Sequence, residues 1–357
     1  MNTLHVVSTE EGTGKTAIAI ALARLASERG ATVGYMKPKG TRLRSAVGKT
    51  RDEDPLLAKE LLDLEAEIHD LEPVVYSPTF VQEAIRGRED PEALAQRVQE
   101  SFDHLTEGVD LMVVEGGGRL WTGGIVDLTD ADLAETLDTR VVLVDRYDEV
   151  ADVDEILAAA DGLDDHLAGV LFNVVDDHDL DPLTEDVIPF LGGRDIETLG
   201  TLPREPDLAG VSVADLAETL GADVLTADVD ADVLLERFSV GAMGSNSALE
   251  VFRRVRNAAV ITGGDRSDVQ SAALEASGVN CLVLTGGYRP SSAIVGKAED
   301  RGVPVLLVQS DTRTTVDRTE EIIHAGRTRS AETVDRMESL LADGADVDAL
   351  LGLDSDD

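Results

Sequence analysis

Leu4-His5-Val6-Val7-Ser8-Thr9-Glu10-Glu11-Gly12-Thr13-Gly14-Lys15-Thr16 stands at the head of the chain. The apolar run Leu4 to Val7 has the make-up of a short buried strand, and Lys15 to Arg29 has the pattern of a helix. Between them, the Gly-Lys-Thr ending is what a phosphate loop requires. Backbone N–H groups at a helix N-terminus face the β-phosphate, Lys15 reaches the β and γ oxygens, and the Thr16 hydroxyl ligates Mg2+. Gly12, Thr13, Gly14, Lys15 and Thr16 are therefore the expected nucleotide contacts, with Lys15 also a catalytic candidate. The strict G-x-x-x-x-G-K-[ST] form is not met, because Thr9 holds the first glycine position. The alternative is a glycine-rich turn with a surface lysine.

Further along, Thr32 to Met36, Leu111 to Val114, Val141 to Val144 and Gly169 to Phe172 read as strands, separated by helix-length segments such as Val153 to Ala160. Continuous apolar strands alternating with helices predict a parallel sheet covered on both faces. The two prolines of Leu202-Pro203-Arg204-Glu205-Pro206-Asp207 mark a boundary. A second series follows, with strands at Asn257 to Thr262, Asn280 to Thr285 and Val303 to Gln309 and helices at Val269 to Ala276, Ser291 to Asp300 and Thr315 to Gly326. Met337 to Leu351 reads as a terminal helix and Asp354 to Asp357 as a frayed acidic tail. The expected organisation is a P-loop α/β domain over residues 1–205, a smaller α/β domain over 206–330, and a C-terminal helix and tail over 331–357.

The chain has 357 residues with 31 Lys+Arg against 71 Asp+Glu, a formal net charge of −40. That charge repels nucleic acid and anionic membranes over most of the surface, so neither is an expected partner. At molar salt the Debye length falls to about 3 Å and such self-repulsion is screened, which points to a salt-rich cytoplasm. With only 3% aromatics, the cores must be built from Ala, Val, Leu and Ile. Lysine occurs six times, at Lys15, Lys37, Lys39, Lys49, Lys59 and Lys297, which makes each a candidate for a task. The single cysteine, Cys281, excludes an internal disulfide and suits a reducing compartment. The first residues show neither the charged nor the apolar region of a signal peptide, and no run of about 20 apolar residues suggests a membrane span. The six histidines lack metal-ligand spacing and are expected to be structural.

The loop resembles that of the dethiobiotin synthetase family, of the form G-T-D-T-x-x-G-K-T, in the P-loop class that also holds the cobyrinic acid a,c-diamide synthases. Gly34-Tyr35-Met36-Lys37-Pro38 is similar to that family's second-strand ending, which implies that Lys37 supplies a second, catalytic positive charge. Asp54, in Asp54-Pro55-Leu56-Leu57-Ala58, and Glu115, in Val114-Glu115-Gly116-Gly117-Gly118, resemble its acidic Mg2+ ligands. Asn173 falls where the family contacts the adenine edge, and Leu199-Gly200-Thr201-Leu202-Pro203 resembles an element that passes close to the base. Taken as residues alone, Glu115 can equally be a solvated acid at a strand end, and Asp54 a helix N-cap. Glu10 and Glu11 depart from the family loop, and Glu11 beside a triphosphate is unfavourable unless it turns outward or binds metal. Arg119-Leu120-Trp121-Thr122-Gly123-Gly124 departs from its substrate segment, so nucleotide binding is carried over and dethiobiotin synthesis is not.

Val213 to Glu218, Ala259 to Asp268, Leu284 to Pro290 and Pro304 to Thr312 resemble a DRTGG domain. A synthetase-like P-loop domain followed by a DRTGG domain is the layout of the regulatory N-terminal part of long phosphate acetyltransferases, and acetyl transfer itself is not expected here. In the residues themselves, Gly263, Gly264, Asp265 and Arg266 end a strand, where ligands of open α/β sheets bind; the alternative is a tight turn with an Asp–Arg surface pair. The expectation is a regulatory or accessory protein that binds ATP and Mg2+ in its first domain. Its second domain would sense a small-molecule effector or a protein partner. The alternative is an ATP-dependent carboxylate-amine ligase of the dethiobiotin or cobyrinate-diamide type. Relatives of this class imply a homo-oligomer.

Overall fold

In the computed structural model, the first strand runs over β1, Asn2–Val7, inside a six-stranded sheet. The structure describes residues 1–46, 49–205, 208, 210–227, 229–325 and 331–352. Pro206 and Asp207 of the expected boundary, and the expected tail Asp354 to Asp357, lie outside the described residues. β2 (Val33–Met36), β3 (Leu111–Glu115), β4 (Val141–Asp145), β5 (Leu167–Val175) and β6 (Thr198–Pro203) complete the sheet. Its order is β6-β5-β4-β1-β3-β2, and every neighbouring pair is parallel.

Apolar side chains on both faces of the inner strands explain why these segments read as unbroken hydrophobic runs. On one face Val7, Leu143 and Phe172 pack with Ile156 and Leu163 of the helix Asp152–Leu163. On the other, Met36, Met112 and Val114 pack with Leu94, Val98 and Phe102 of the helix Pro91–Leu105. Because all six strands point the same way, their carboxyl ends share one edge of the sheet. The loop after β1, Lys37 after β2, Glu115 in β3, Asp145 in β4 and Asn173 in β5 are gathered along it.

A second sheet of five strands has the order β7-β11-β10-β9-β8, from β7 (Asp223–Val224), β8 (Arg237–Val240), β9 (Ala258–Gly263), β10 (Val279–Thr285) and β11 (Val305–Leu307). β7 is antiparallel to β11 and the other pairs are parallel. The edge strands β7 and β8 were not foreseen, since an edge strand is short and half-solvated and shows no apolar run. Among the described residues no helix is long and apolar enough to cross a membrane.

The chain divides into two compact units, Met1–Arg204 with Thr328–Asp357, and Glu205–Arg327. The C-terminal segment, set apart in the sequence reading, thus joins the first unit. The single helix expected over Met337 to Leu351 is instead two, Ala331–Gly344 and Val347–Leu351. The break follows from Ala345, which bridges to Gly200 of β6, and from Asp346, which starts the second helix by accepting from the Ala349 N–H at 2.9 Å. The first of these helices lies on α1 (Lys15–Glu28), where Arg24 meets Asp335 at 2.7 Å and Glu338 at 2.8 Å. Arg140 fastens the second by donating to the Leu350 carbonyl at 3.0 Å and the Ala349 carbonyl at 2.5 Å. Leu341 is fully buried, so Leu341→Ala is expected to lower the stability of the first unit by about 2–5 kcal/mol. Denaturant unfolding followed by Trp121 fluorescence checks this, and an unchanged midpoint would show that the helix is dispensable.

Candidate functional site

The phosphate-loop residues form a concave nest at the N-terminus of α1. Gly12 and Gly14 have φ of 71° and 86°, the left-handed region that alternates the backbone and turns successive N–H groups inward. Only glycine suits position 14, since a Cβ there would lie 2.6 Å from Asn173 Nδ2. The loop's carbonyls are held from outside. Arg146 donates to the Gly12 carbonyl at 2.5 Å, and Asn173 Nδ2 donates to that of Thr13 at 2.8 Å. Lys15 is buried and donates to Ser8 Oγ at 2.5 Å, the Gly118 carbonyl at 2.8 Å and the Glu10 carbonyl at 3.4 Å. Burial pushes its ammonium down to about 8. Among the described residues nothing accepts from the N–H groups of Glu11 to Gly14. The buried Thr13 hydroxyl also has no partner there. Glu11 is exposed, whereas Glu10 is half-buried and pushed up by that burial against the opposing pull of Arg146.

Next to the nest lies a buried charge cluster that the sequence reading brought together in part. Lys37 bonds Asp54 and lies 3.0 Å from Asp52 Oδ2 and 3.3 Å from Glu115 Oε1, all of them buried. Burial disfavours the Lys37 charge, yet Asp54, Glu115 and Asp52 raise it well above the ordinary lysine range. Burial would likewise raise Asp54, but Lys37 and Arg42 outweigh it and hold the carboxyl down at about 2. Glu115 is raised by burial; its Oε1 accepts from Thr16 Oγ1 at 2.6 Å and its Oε2 from the Tyr35 hydroxyl at 2.6 Å. Glu115 is therefore no solvated strand end, and Asp54 is no N-cap. The cap of the helix Glu53–Leu61 is Asp52, whose Oδ1 accepts from the Asp54 N–H at 2.9 Å and whose Oδ2 accepts from Thr41 and Arg42 N–H at 2.8 and 2.9 Å. Thr16, Asp54 and Glu115 present oxygen donors of the kind a hard cation takes.

Tyr35, Asp52, Asp130, Asp145 and Arg146 were missed, and Lys39 was marked only as one of six scarce lysines. Tyr35, Asp130, Asp145 and Arg146 work through partners between 80 and 136 residues away in sequence. Two cavities of about 460 and 440 Å³ flank the loop at Glu10 and Thr9, and both are lined by Arg119 and Glu155. Trp121 lines the second of these cavities, and carboxylates dominate the first.

In the second unit, Gly263 to Arg266 follow β9 as expected, but the Gly264 position is filled by the protein itself. A Cβ there would lie 1.9 Å from the Tyr288 carbonyl oxygen. Arg266 donates to the Met243 carbonyl at 2.7 Å, and its nearest acid is Asp268, at 3.7 Å, rather than Asp265. The histidines need one correction, because Asp176, His178 and Asp179 bring ligand atoms within 4.8 Å of one another. That group is partly exposed, and Arg204 already holds Asp176 at 2.6 Å.

Asp145 accepts from the Thr9 hydroxyl at 2.7 Å, and burial pushes its carboxyl from 3.8 up to about 7. An acid raised on folding favours the native state fully below its unfolded value and loses that advantage as pH rises to the folded one. Asp145→Asn keeps an acceptor for Thr9 without the charge, so its melting temperature is expected to gain on wild type between pH 4 and 7 and hold that gain above. Melting curves across pH 4 to 8.5 check this, and a constant difference would refute it.

Comparison with known proteins matches residues 2–212, more than half of the chain, to the AAA domain family AAA_26, and residues 215–322 to the DRTGG domain. The phosphate acetyltransferase of Pseudomonas putida is 27% identical over 341 residues, covering 89% of this chain and 47% of that protein. The ATP-dependent dethiobiotin synthetase BioD of Anaeromyxobacter dehalogenans is 30% identical over 217 residues, covering 58% of this chain and 93% of that protein. Cobyrinic acid a,c-diamide synthase from Mycobacterium smegmatis, solved with ADP and magnesium, aligns over 57% of this chain and 87% of its own with 15% identity and a TM-score of 0.35. The chain spans about half the length of the phosphate acetyltransferases it matches. With its loop amides free among the described residues at the head of α1 and a second α/β unit in the same chain, the chain belongs to the AAA_26 family of P-loop proteins and carries a DRTGG domain.

Proposed function

We propose that the protein is an ATP- and Mg2+-binding regulatory or accessory protein, holding nucleotide in its first unit and sensing an effector or partner through its DRTGG domain around Gly263 to Arg266. The hydrogen-bond accounting of the loop carries this reading. Its carbonyls are held by Lys15, Arg146 and Asn173, while the N–H groups of Glu11 to Gly14 and the Thr13 hydroxyl remain to receive an anion. Lys15 would exchange Ser8 Oγ and the Glu10 carbonyl for phosphate oxygens. The donor set also fits a divalent cation, since among the described residues the three carboxylates Asp52, Asp54 and Glu115 make ion pairs with two cations, Lys37 and Arg42. Thr16, Glu115 and Asp54 would hold Mg2+, which supplies neutralisation of phosphate charge. Lys37 keeps Asp54 ionised and holds all three acids in place.

Asn173 donates one N–H of Nδ2 to the Thr13 carbonyl and offers Oδ1 as an acceptor. An acceptor suits the 6-amino group of adenine and repels the 6-oxo group of guanine. GTP is therefore expected to compete at least about tenfold more weakly than ATP. Equal competition would remove Asn173 from the base contact.

A ligase is the second reading, favoured by the cavities beside the loop, which have room for another substrate. Because a net charge of −40 needs screening, calorimetry of ATP with Mg2+ belongs in molar KCl. Wild type is expected to bind, and Lys15→Ala to bind about a hundredfold more weakly. No binding by wild type overturns the reading. Binding without phosphate release, even with diaminopelargonate or cobyrinate added, supports the regulator, whereas release that depends on those compounds supports the ligase.

A further inference from the structure

Beside the cluster around Lys37 lies a second buried ion pair, Lys39 with Asp130, that none of the roles above uses. Lysine and aspartate are almost never fully buried without a reason, and these two are 1% and 0% exposed. The pair is also incompletely satisfied, since Asp130 Oδ2 is buried with no partner among the described residues. An unpaired buried oxygen costs stability, so a pair that leaves one is poorly explained as a stabilising device.

What the pair touches is the turn Gly116-Gly117-Gly118. Gly117 donates its N–H to Asp130 Oδ1 at 3.4 Å. A Cβ on Gly117 would lie 2.3 Å from the Lys39 carbonyl oxygen and 2.6 Å from Lys39 Cγ, and one on Gly116 would lie 2.3 Å from Asp130 Oδ2. The turn therefore rests directly on the two side chains. It is joined to the phosphate loop on its other side, where Leu120 donates to the Ser8 carbonyl at 2.7 Å and Gly118 accepts from Lys15 at 2.8 Å. Asp130 also donates its N–H to the Leu120 carbonyl at 2.9 Å, so the same residue holds the turn and the segment that follows it.

We infer that Lys39 and Asp130 are positioning residues, which set the height of the Gly116–Gly118 turn and through it the place of Lys15 above the nest. The inference rests on the nucleotide reading for its consequence, a preference for ATP over ADP. The placement of the turn itself does not depend on that reading.

The test compares wild type in molar KCl with Lys39→Met/Asp130→Leu, an apolar pair of similar volume, and with Asp130→Asn, which keeps an acceptor for Gly117. Trp121 is the only tryptophan and stands three residues beyond Gly118, on the segment that Asp130 holds through Leu120, so its emission reports the turn's position. The apolar pair is expected to fold with a shifted Trp121 emission, and to lose about tenfold in ATP affinity but less in ADP affinity. Asp130→Asn is expected to keep both properties of wild type. Should the apolar pair not fold, Asp130→Ala is read in the same way. An apolar pair with wild-type emission and a wild-type ratio of ATP to ADP affinity overturns the inference. If wild type binds no nucleotide, the nucleotide reading fails by itself. The emission then decides the placement of the turn alone, supported by a shift and overturned by none.

Discussion

The contact of Lys37 with Asp52, Asp54 and Glu115 is the one on which the site depends. Three carboxylates brought out of water would either protonate or force their elements apart, because the interior cannot solvate them. Lys37 makes their convergence tolerable, and it and they come from three places in the fold. Glu115 ends β3, Lys37 follows β2, and Asp52 and Asp54 open the helix Glu53–Leu61. Through Glu115 the cluster also reaches Thr16 on α1. One ammonium thus fixes the register of three chain segments against the phosphate loop, and the Tyr35 hydroxyl closes the last open face of Glu115.

What could be read from the sequence follows from how far each signal extends. The inner strands were legible because burial on both faces writes a continuous apolar run into consecutive residues. Lys15 and Thr16 were singled out by the loop itself, and Lys37 and Glu115 through the resemblance of the strand-end segments that carry them. Asp145 and Arg146 were not, although they sit at a strand end too. Their partners, Thr9 and Gly12, are 136 and 134 residues away, and an acid in this chain carries almost no information by itself. Asp52 was hidden for a more local reason. In Asp52-Glu53-Asp54 the residue that caps the helix and the residue that meets Lys37 differ by two positions, and composition does not say which is which.

The C-terminal helix shows another limit. An amphipathic pattern over Ala331–Gly344 specifies that one face is buried without specifying against what. Segmenting the chain in order left this helix on its own, yet it covers α1, whose own residues from Lys15 to Ala23 are all buried. A helix so rich in alanine and isoleucine on every side needs cover beyond the sheet, and here that cover comes from the far end of the chain. The DRTGG unit is thereby inserted into the sequence of the P-loop unit rather than appended to it.

The charges of this protein fall into two populations that obey different rules. Most of the 71 acids are solvated, and their mutual repulsion is the kind that salt screens within a few ångströms. Lys15, Lys37, Lys39, Asp52, Asp54, Glu115 and Asp130 are buried, where ions do not penetrate and the balance must be struck by neighbouring side chains. The surface pairs are made mostly by arginine, as in Arg24 with Asp335 and Arg86 with Glu83. Of the six lysines, three stand in a group of buried cations around one sheet edge. The geometry of the nest is then set by contacts that the solvent cannot reach, while the solubility of the whole is left to the surface.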